Sequence, residues 1–374
     1  MTLGAEEEFF VVDVESRELA GSNPLMEVAG QRFGSSVTPE LNLCQIEIAS
    51  KVCSGLDELG ADLRRLRQGL AEAGAPLGLG IAAAGTHPFS PWGDQEVNRQ
   101  HDRYAQMEHR FQIVARQQVI CGCHIHIGFD DPELAVATMN RARPWLPILL
   151  ALSANSPFWS GHDTGFQSYR TEVWQRWPTA GFGPVLESRA HFDEIIAELQ
   201  AIEAIEDGTH LYWYMRPSSR YPTVEFRICD VPLLEEDTVT LAGLVRALAW
   251  SCRRDALCDR PLPRRDTQTL EAAMWQAARH GVRGKLVDPA RPRLAPAIEL
   301  VEQLLDFVAD GLEAHGDQST VRRAVAAILE RGTGADLQLA VFAGAGTMEA
   351  VVDAIVARTA NAAPTEPRVG AHAR

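Results

Sequence analysis

Four short stretches of this sequence carry carboxylates, imidazoles and guanidiniums at alternating positions. A strand points successive side chains to opposite faces. In Glu6-Glu7-Glu8 the first and third carboxylates therefore share a face. In Gln45-Ile46-Glu47-Ile48 the polar pair shares one face and the isoleucines the other. His124-Ile125-His126-Ile127 puts two imidazoles together, and Thr223-Val224-Glu225-Phe226-Arg227-Ile228 separates a polar trio from an apolar one. Half-solvated strands alternate as a rule, but a merely wet face favours Thr, Lys, Ser and Arg. These faces carry Glu, Gln, His and one Arg, the groups that hold metals and phosphate. If the four faces line one concave surface, each close carboxylate pair costs several kcal/mol at an effective dielectric of about 20. Protonation or divalent cations relieve that cost, and an oxygen-rich set with an imidazole suits Mg²⁺ or Mn²⁺.

Zinc is the competing reading, through Cys121-x-Cys123-His124-x-His126. Alternation turns the two cysteines away from the two histidines, which leaves them as small core residues. Nothing matches GxxxxGK[ST], and Gly78, Gly80 and Gly85 miss the GxGxxG spacing. A nucleotide bound here would have to be held by a sheet face with divalent cations, not by a P-loop or a Rossmann turn.

The elements that must position these groups follow from periodicity. Residues 3–12, 41–49, 119–129 and 223–230 read as strands, and 78–84 is a short apolar run. Leu56, Leu59, Leu63, Leu66 and Leu70 form the stripe of an amphipathic helix. Residues 132–151 read as helical, broken at Pro144 and Pro147, residues 188–205 as helical, and the chain beyond about 233 as almost wholly helical. Residues 153–183 form a long aromatic-rich segment without periodicity, expected to be an ordered binding loop. Strands early and helices late predict an α+β fold. The 374 residues fit one catalytic domain over 1–358 and a disordered Ala/Pro/Arg-rich tail over 359–374. A formal charge of −15 with no basic stripe argues against nucleic acid as a partner. No apolar run approaches the ~20 residues that span a bilayer. Seven cysteines and no leader-like N-terminus predict free thiols and a cytoplasmic location.

Taken in order, Gly4-Ala5-Glu6-Glu7-Glu8-Phe9, Gln45-Ile46-Glu47, Gly85-Thr86-His87-Pro88, Gly122-Cys123-His124-Ile125-His126-Ile127-Gly128 and Pro222-Thr223-Val224-Glu225-Phe226-Arg227 resemble the motif series of glutamate–cysteine ligase type 2, a carboxylate–amine ligase family. The long loop adds Leu152-Ser153-Ala154-Asn155-Ser156-Pro157-Phe158-Trp159, Gly161, Thr164-Gly165, Ser168-Tyr169-Arg170 and Trp177-Pro178, and later come Trp275, Ala278-Arg279 and Gly281. The resemblance covers roughly residues 3–358. It implies a glutamine synthetase-like fold, a curved antiparallel sheet of about six strands with helices packed on its outer face.

It further implies an ATP-dependent ligase that phosphorylates a carboxylate and lets an amine displace the phosphate. Glutamate is the expected acyl donor, and cysteine or a similar small amine the acceptor. Carried over by motif, the metal ligands are Glu6, Glu8, Glu47, His124 and Glu225. Glu40 is a weaker candidate, and His126 stands behind His124. Arg227 and Arg170 would meet phosphate or substrate carboxylate, with Arg227 favoured for the α-carboxylate. Asn155, Thr223 and Arg279 would contact the nucleotide. The cofactors are ATP and Mg²⁺, with Mn²⁺ as a substitute, and a homodimer is compatible with the family. An amide hydrolase, or another metal- and ATP-dependent enzyme on the same face with no net ligation, is the alternative class. A non-catalytic binding protein is a third. Amine-dependent ADP release separates the first two.

Overall fold

The computed structural model describes residues 1–263 and 265–360, so most of the expected tail lies outside the described residues. Its nine leading strands are β1 (Leu3–Asp13), β2 (Val37–Pro39), β3 (Gln45–Ala49), β4 (Leu79–Ala82), β5 (Gly122–Gly128), β6 (Phe158–Trp159), β7 (His162–Asp163), β8 (Met215–Pro217) and β9 (Thr223–Asp230). Six of them lie side by side in the order β2-β3-β1-β5-β9-β8, and β4 adds a seventh by pairing with β1. Every pairing in this sheet is antiparallel. The long β1 sits at the centre. Its first half is flanked by β3 and β5, and Phe10–Asp13 pair with β4. The architecture is the α+β arrangement expected, an antiparallel sheet with helices gathered on its apolar face.

That face is built by the odd positions of β1. Ala5, Phe9 and Val11 are buried with Ile125, Ile127, Phe226 and the leucine stripe of helix Leu56–Gly74. Glu7 shares the apolar face and is fully buried. The Arg67 guanidinium of the leucine helix grips both of its oxygens at 2.6 and 2.8 Å, and Thr238 Oγ1 of helix Glu235–Leu257 donates to it at 2.5 Å. Arg67 also donates to the carbonyls of Pro232 and Leu233. This network ties two helices to the central strand. Truncating one partner strands the other charge away from water. Arg67→Ala is therefore expected to cost about 3–5 kcal/mol of unfolding free energy, measured by urea denaturation, while an exposed pair such as Arg32 and Glu72 gives under about 1 kcal/mol.

The elements depart from their expected bounds where local chemistry intervenes. The second expected strand keeps only Gln45–Ala49, because Asn42 caps the preceding turn with a side-chain bond to Gln45 Oε1 at 2.7 Å. Pro144 breaks the helical run into Pro132–Ala142 and Leu146–Ser153, while Pro147, expected to break it too, sits in the first turn of the second helix, where its missing N–H is tolerated. The mostly helical C-terminal half contains a small hairpin, Lys285–Val287 with Leu294–Pro296. A second apolar cluster stands apart from the main core: Leu41, Val97, Met107, Ala115, Trp177 and Tyr212. It seats helix Asp102–Phe111 over the polar side of the sheet. Sequence periodicity did not mark that helix. All seven cysteines are free, six of them buried. No helix among the described residues is long and apolar enough to cross a membrane.

Candidate active site

The polar face gathers the expected side chains from four strands. Register places Glu6 opposite Ala49 and His124, Glu8 opposite Glu47, and Glu225 opposite His126 and Arg216. The carboxylates fall into two groups. Glu6, His126 and Glu225 offer ligand atoms within 4.8 Å of one another, and so do Glu8, Glu40 and Glu47. His124 lies between the groups: Nδ1 is 3.1 Å from Glu6 Oε2 and 3.9 Å from Glu225 Oε1, and Nε2 is 3.7 Å from Glu8 Oε1. Glu40, which follows β2, thus stands as close as the strand glutamates, and His126 stands beside Glu6 and not behind His124.

At such separations two carboxylates repel by about 3 kcal/mol at an effective dielectric of about 20. The proton affinities record it. Burial and the neighbouring Glu8 push the Glu40 carboxyl up to about 7. Burial, then Glu6, Glu40 and Glu8, push Glu47 well above the ordinary range. In the other group burial acts to raise Glu6, but the His124 and His126 hydrogen bonds outweigh it and hold it well below. Burial likewise opposes ionisation of Glu225, and Arg227 and Arg216 overcome it. Burial, then the Arg227 charge, keeps His124 neutral. His124 Nε2 is buried with no hydrogen-bond partner, and His126 Nε2 has only Glu6 Oε1, at 3.4 Å. An orphaned imidazole lone pair among crowded carboxylates is what divalent cations satisfy, so the residues fit two such ions.

The arginines are fixed from behind. Arg216 of β8, which sequence reasoning missed, donates to Glu225 Oε2 at 2.9 Å and to the carbonyls of Gly208, Thr209 and Leu211. Arg227 pairs with Glu225, and its Nε is buried and unpartnered. The guanidiniums of Arg227 and Arg170 both lie 5.3 Å from the Trp174 ring. Arg170 is buried against Gly122, where any Cβ would collide with it, and 4.0 Å from Asp230. It braces the loop against the sheet and does not face the open polar surface.

Asp230 was also missed, for a physical reason. A bulge sets Arg227 and Ile228 together opposite His124, so Asp230 aligns with Gly122 on the polar face, where strict alternation would put it among the apolar residues. Its carboxylate accepts from Asn155 N–H at 2.8 Å, Ser156 Oγ at 2.6 Å and Ser168 Oγ at 2.8 Å. The long loop is therefore ordered, with its two arms pinned to the end of β9 and a hairpin of β6 and β7 between them.

Of the residues expected at the nucleotide, Thr223 lies on the polar face and its Oγ1 is 3.0 Å from His126 Nδ1. Asn155 is a correction. It is fully buried, and its amide is spent on the Ala83 and Val231 carbonyls and on Gln338, so it stabilises the loop and has nothing left for a ligand. Arg279 reaches the Gly165 carbonyl and packs 5.7 Å from the Phe166 ring, holding the loop tip to helix Thr267–His280. Cys123 does face the helices, near Glu7 and Arg67. Cys121 precedes the strand and escapes alternation: its thiol is 3.5 Å from Gln45 Nε2. A cavity of about 950 Å³ opens at the strand ends beside Glu6, His126 and Thr223, and runs past Tyr221 to Trp250.

Residues 2–354 match the profile of glutamate–cysteine ligase family 2. A protein of Frankia casuarinae, provisionally named glutamate–cysteine ligase 2-2, is 40% identical over 97% of this chain, which spans 42% of that protein. A Frankia alni protein with the same provisional name is 37% identical, with 96% of this chain and 97% of the relative covered. Among solved structures, a Francisella tularensis glutamate–cysteine ligase in complex with AMP superposes with a TM-score of 0.73 over 96% of this chain and 88% of its own. Its identity is 14%, so that likeness is one of fold.

Proposed function

This chain belongs to glutamate–cysteine ligase family 2, and from that premise we propose that it joins the side-chain carboxylate of glutamate to the amine of cysteine, or of a similar small molecule, at the expense of ATP. The observation that carries the reading is the pair of carboxylate groups on one sheet face, each with space for a cation and with the unpartnered His124 Nε2 between them. The γ-phosphoryl group passes to the glutamate side chain, giving an acyl phosphate and ADP. The amine then attacks the acyl carbon and inorganic phosphate leaves.

Glu6, His126 and Glu225 would hold one Mg²⁺ ion and Glu8, Glu40 and Glu47 another, with His124 serving either. Bound there, the ions would neutralise phosphate charge and align the two substrates. Thr223 orients His126 through its Nδ1. Arg227, backed by Trp174 and steadied by Glu225, presents Nε to the transferred phosphoryl oxygens. Arg170, Asn155 and Arg279 keep the aromatic loop in place, and the loop keeps water from the acyl phosphate. Location in the cytoplasm, where ATP and both amino acids are found, fits this chemistry.

The test is incubation with ATP, Mg²⁺, glutamate and cysteine, read by mass spectrometry for the γ-linked dipeptide. Absence of ADP formation with every amino-acid pair tried would overturn the reading. Two further results are expected with a chelator. Turnover should stop, and adding Mg²⁺ or Mn²⁺ to metal-free protein should raise the melting temperature by several degrees as carboxylate repulsion is relieved. A melting temperature indifferent to both ions would remove the two groups as cation sites.

A further inference from the structure

Helix Asp102–Phe111 is held at the rim of the Glu8, Glu40 and Glu47 group by several independent contacts. Leu43 N–H donates to the Glu96 carbonyl at 2.9 Å and Asn98 N–H to the Leu41 carbonyl at 2.8 Å, so the segment leading into the helix runs alongside residues 41–43. Tyr104 OH donates to the Pro39 carbonyl at 3.1 Å, one residue before Glu40. Met107 is buried with Leu41, Trp177 and Tyr212. On this helix Arg103 is half-buried, and its Nε is fully buried without any hydrogen-bond partner.

Arg227, Arg216 and Arg170 each already face a carboxylate, at Glu225 or Asp230. Among the described residues Arg103 has no ion-pair partner. Five other arginines among the described residues also bury an Nε without an acceptor, but each donates through another nitrogen, whereas Arg103 donates through none, which is costly for a half-buried guanidinium. Here its charge acts on Glu40, Asp207 and Tyr212 without a hydrogen bond to any of them. The missing acceptor is an oxyanion delivered by a ligand. The large cavity, which has room for a nucleotide, opens on the other carboxylate group, and neither Arg103 nor Glu8, Glu40 or Glu47 lines it.

We propose that Arg103 is a substrate-binding residue that receives the α-carboxylate of the amino-acid acyl donor, and so selects α-amino acids over simple acids. This rests on the ligase reading and deepens it, and it moves that contact away from Arg227. The planar fork takes a carboxylate in two hydrogen bonds, orienting the donor so that its side-chain carboxylate points along the sheet toward the metal groups.

The experiment compares wild type, Arg103→Ala and Arg103→Lys with Mg²⁺ and a non-hydrolysable ATP analogue present. Glutamate and 4-aminobutyrate, which lacks the α-carboxylate, are titrated by calorimetry. Wild type should bind glutamate about ten-fold or more tightly than 4-aminobutyrate. In Arg103→Ala glutamate should weaken to the level of 4-aminobutyrate, whose own binding should not change, and Arg103→Lys should lie between. Affinity for the ATP analogue should stay at the wild-type value, and the melting temperature should hold or rise, because Arg103 has no hydrogen-bonded protein partner to lose and its removal frees a buried donor without an acceptor. Equal preference for glutamate in wild type and Arg103→Ala, or a loss confined to the ATP analogue, overturns the assignment while leaving the ligase reading standing. Failure of the wild type to bind the ATP analogue or any α-amino acid overturns both.

Discussion

Glu8→Gln should yield a well-folded protein with no measurable ATP turnover. Glu8 faces Glu47 across the strand pair, shares a ligand cluster with Glu40 and Glu47, and accepts the Gly122 N–H at 2.5 Å. Glutamine keeps an oxygen for that N–H but removes a negative charge. The fold loses nothing it depends on and sheds repulsion worth about 3 kcal/mol per close pair, so the metal-free melting temperature should hold or rise. The reaction loses an anionic ligand whose role is charge stabilisation during phosphoryl transfer. A defect of about 4 kcal/mol corresponds to about 10³-fold in rate. Steady-state ADP release and a thermal melt on one preparation check both halves. Turnover within about ten-fold of wild type would take Glu8 off the metal. The same exchange at Glu225 differs, because Arg216 and Arg227 are buried against it and would be left unpaired. There, stability should fall along with activity.

The opposite signature is expected at Asp230, whose removal should unfasten structure before chemistry. Its carboxylate is fully buried and serves one backbone N–H, two hydroxyls and the Arg170 guanidinium at 4.0 Å. Asp230→Ala leaves all four without their acceptor, at a cost of about 3–5 kcal/mol. Urea denaturation should show that loss, and limited proteolysis should cut the loop near the exposed His162 and Asp163. Ser168→Ala removes one hydroxyl contact and should cost about 1 kcal/mol. If Asp230→Ala unfolds at the wild-type urea midpoint, the loop is held by something other than this carboxylate.

Much of this was legible from alternation alone. Polar residues two apart on a strand must share a face, so Glu6 with Glu8, His124 with His126 and Glu225 with Arg227 could be grouped before any fold was known. The resemblance supplied the fold that brings those strands together. What stayed hidden was set by contacts distant in sequence. Arg216 lies in a strand of three residues, too short to show a period. Arg103 belongs to a helix whose apolar side is defined by Trp177 and Tyr212, far along the chain. Asn155 was expected at the nucleotide from its place in the loop motif of the resembled family. Its three protein partners, from residues 83, 231 and 338, could not be foreseen from the loop's own composition. The division of the carboxylates into two groups needed Glu40, which sits just past a strand end where alternation no longer applies.

The bulge opposite His124 acts as a frame shift written into β9. On the N-terminal side of it odd-numbered residues read out on the polar face, as Glu225 does against His126; past it the even-numbered ones do, as Asp230 does against Gly122. Metal chemistry and loop anchorage therefore sit in different frames of one strand. Single substitutions within β9 alter one function at a time, whereas deleting residue 228 would leave Arg227 alone opposite His124 in a regular ladder, keeping Glu225 and Asp230 on the polar face but removing the local bend between them.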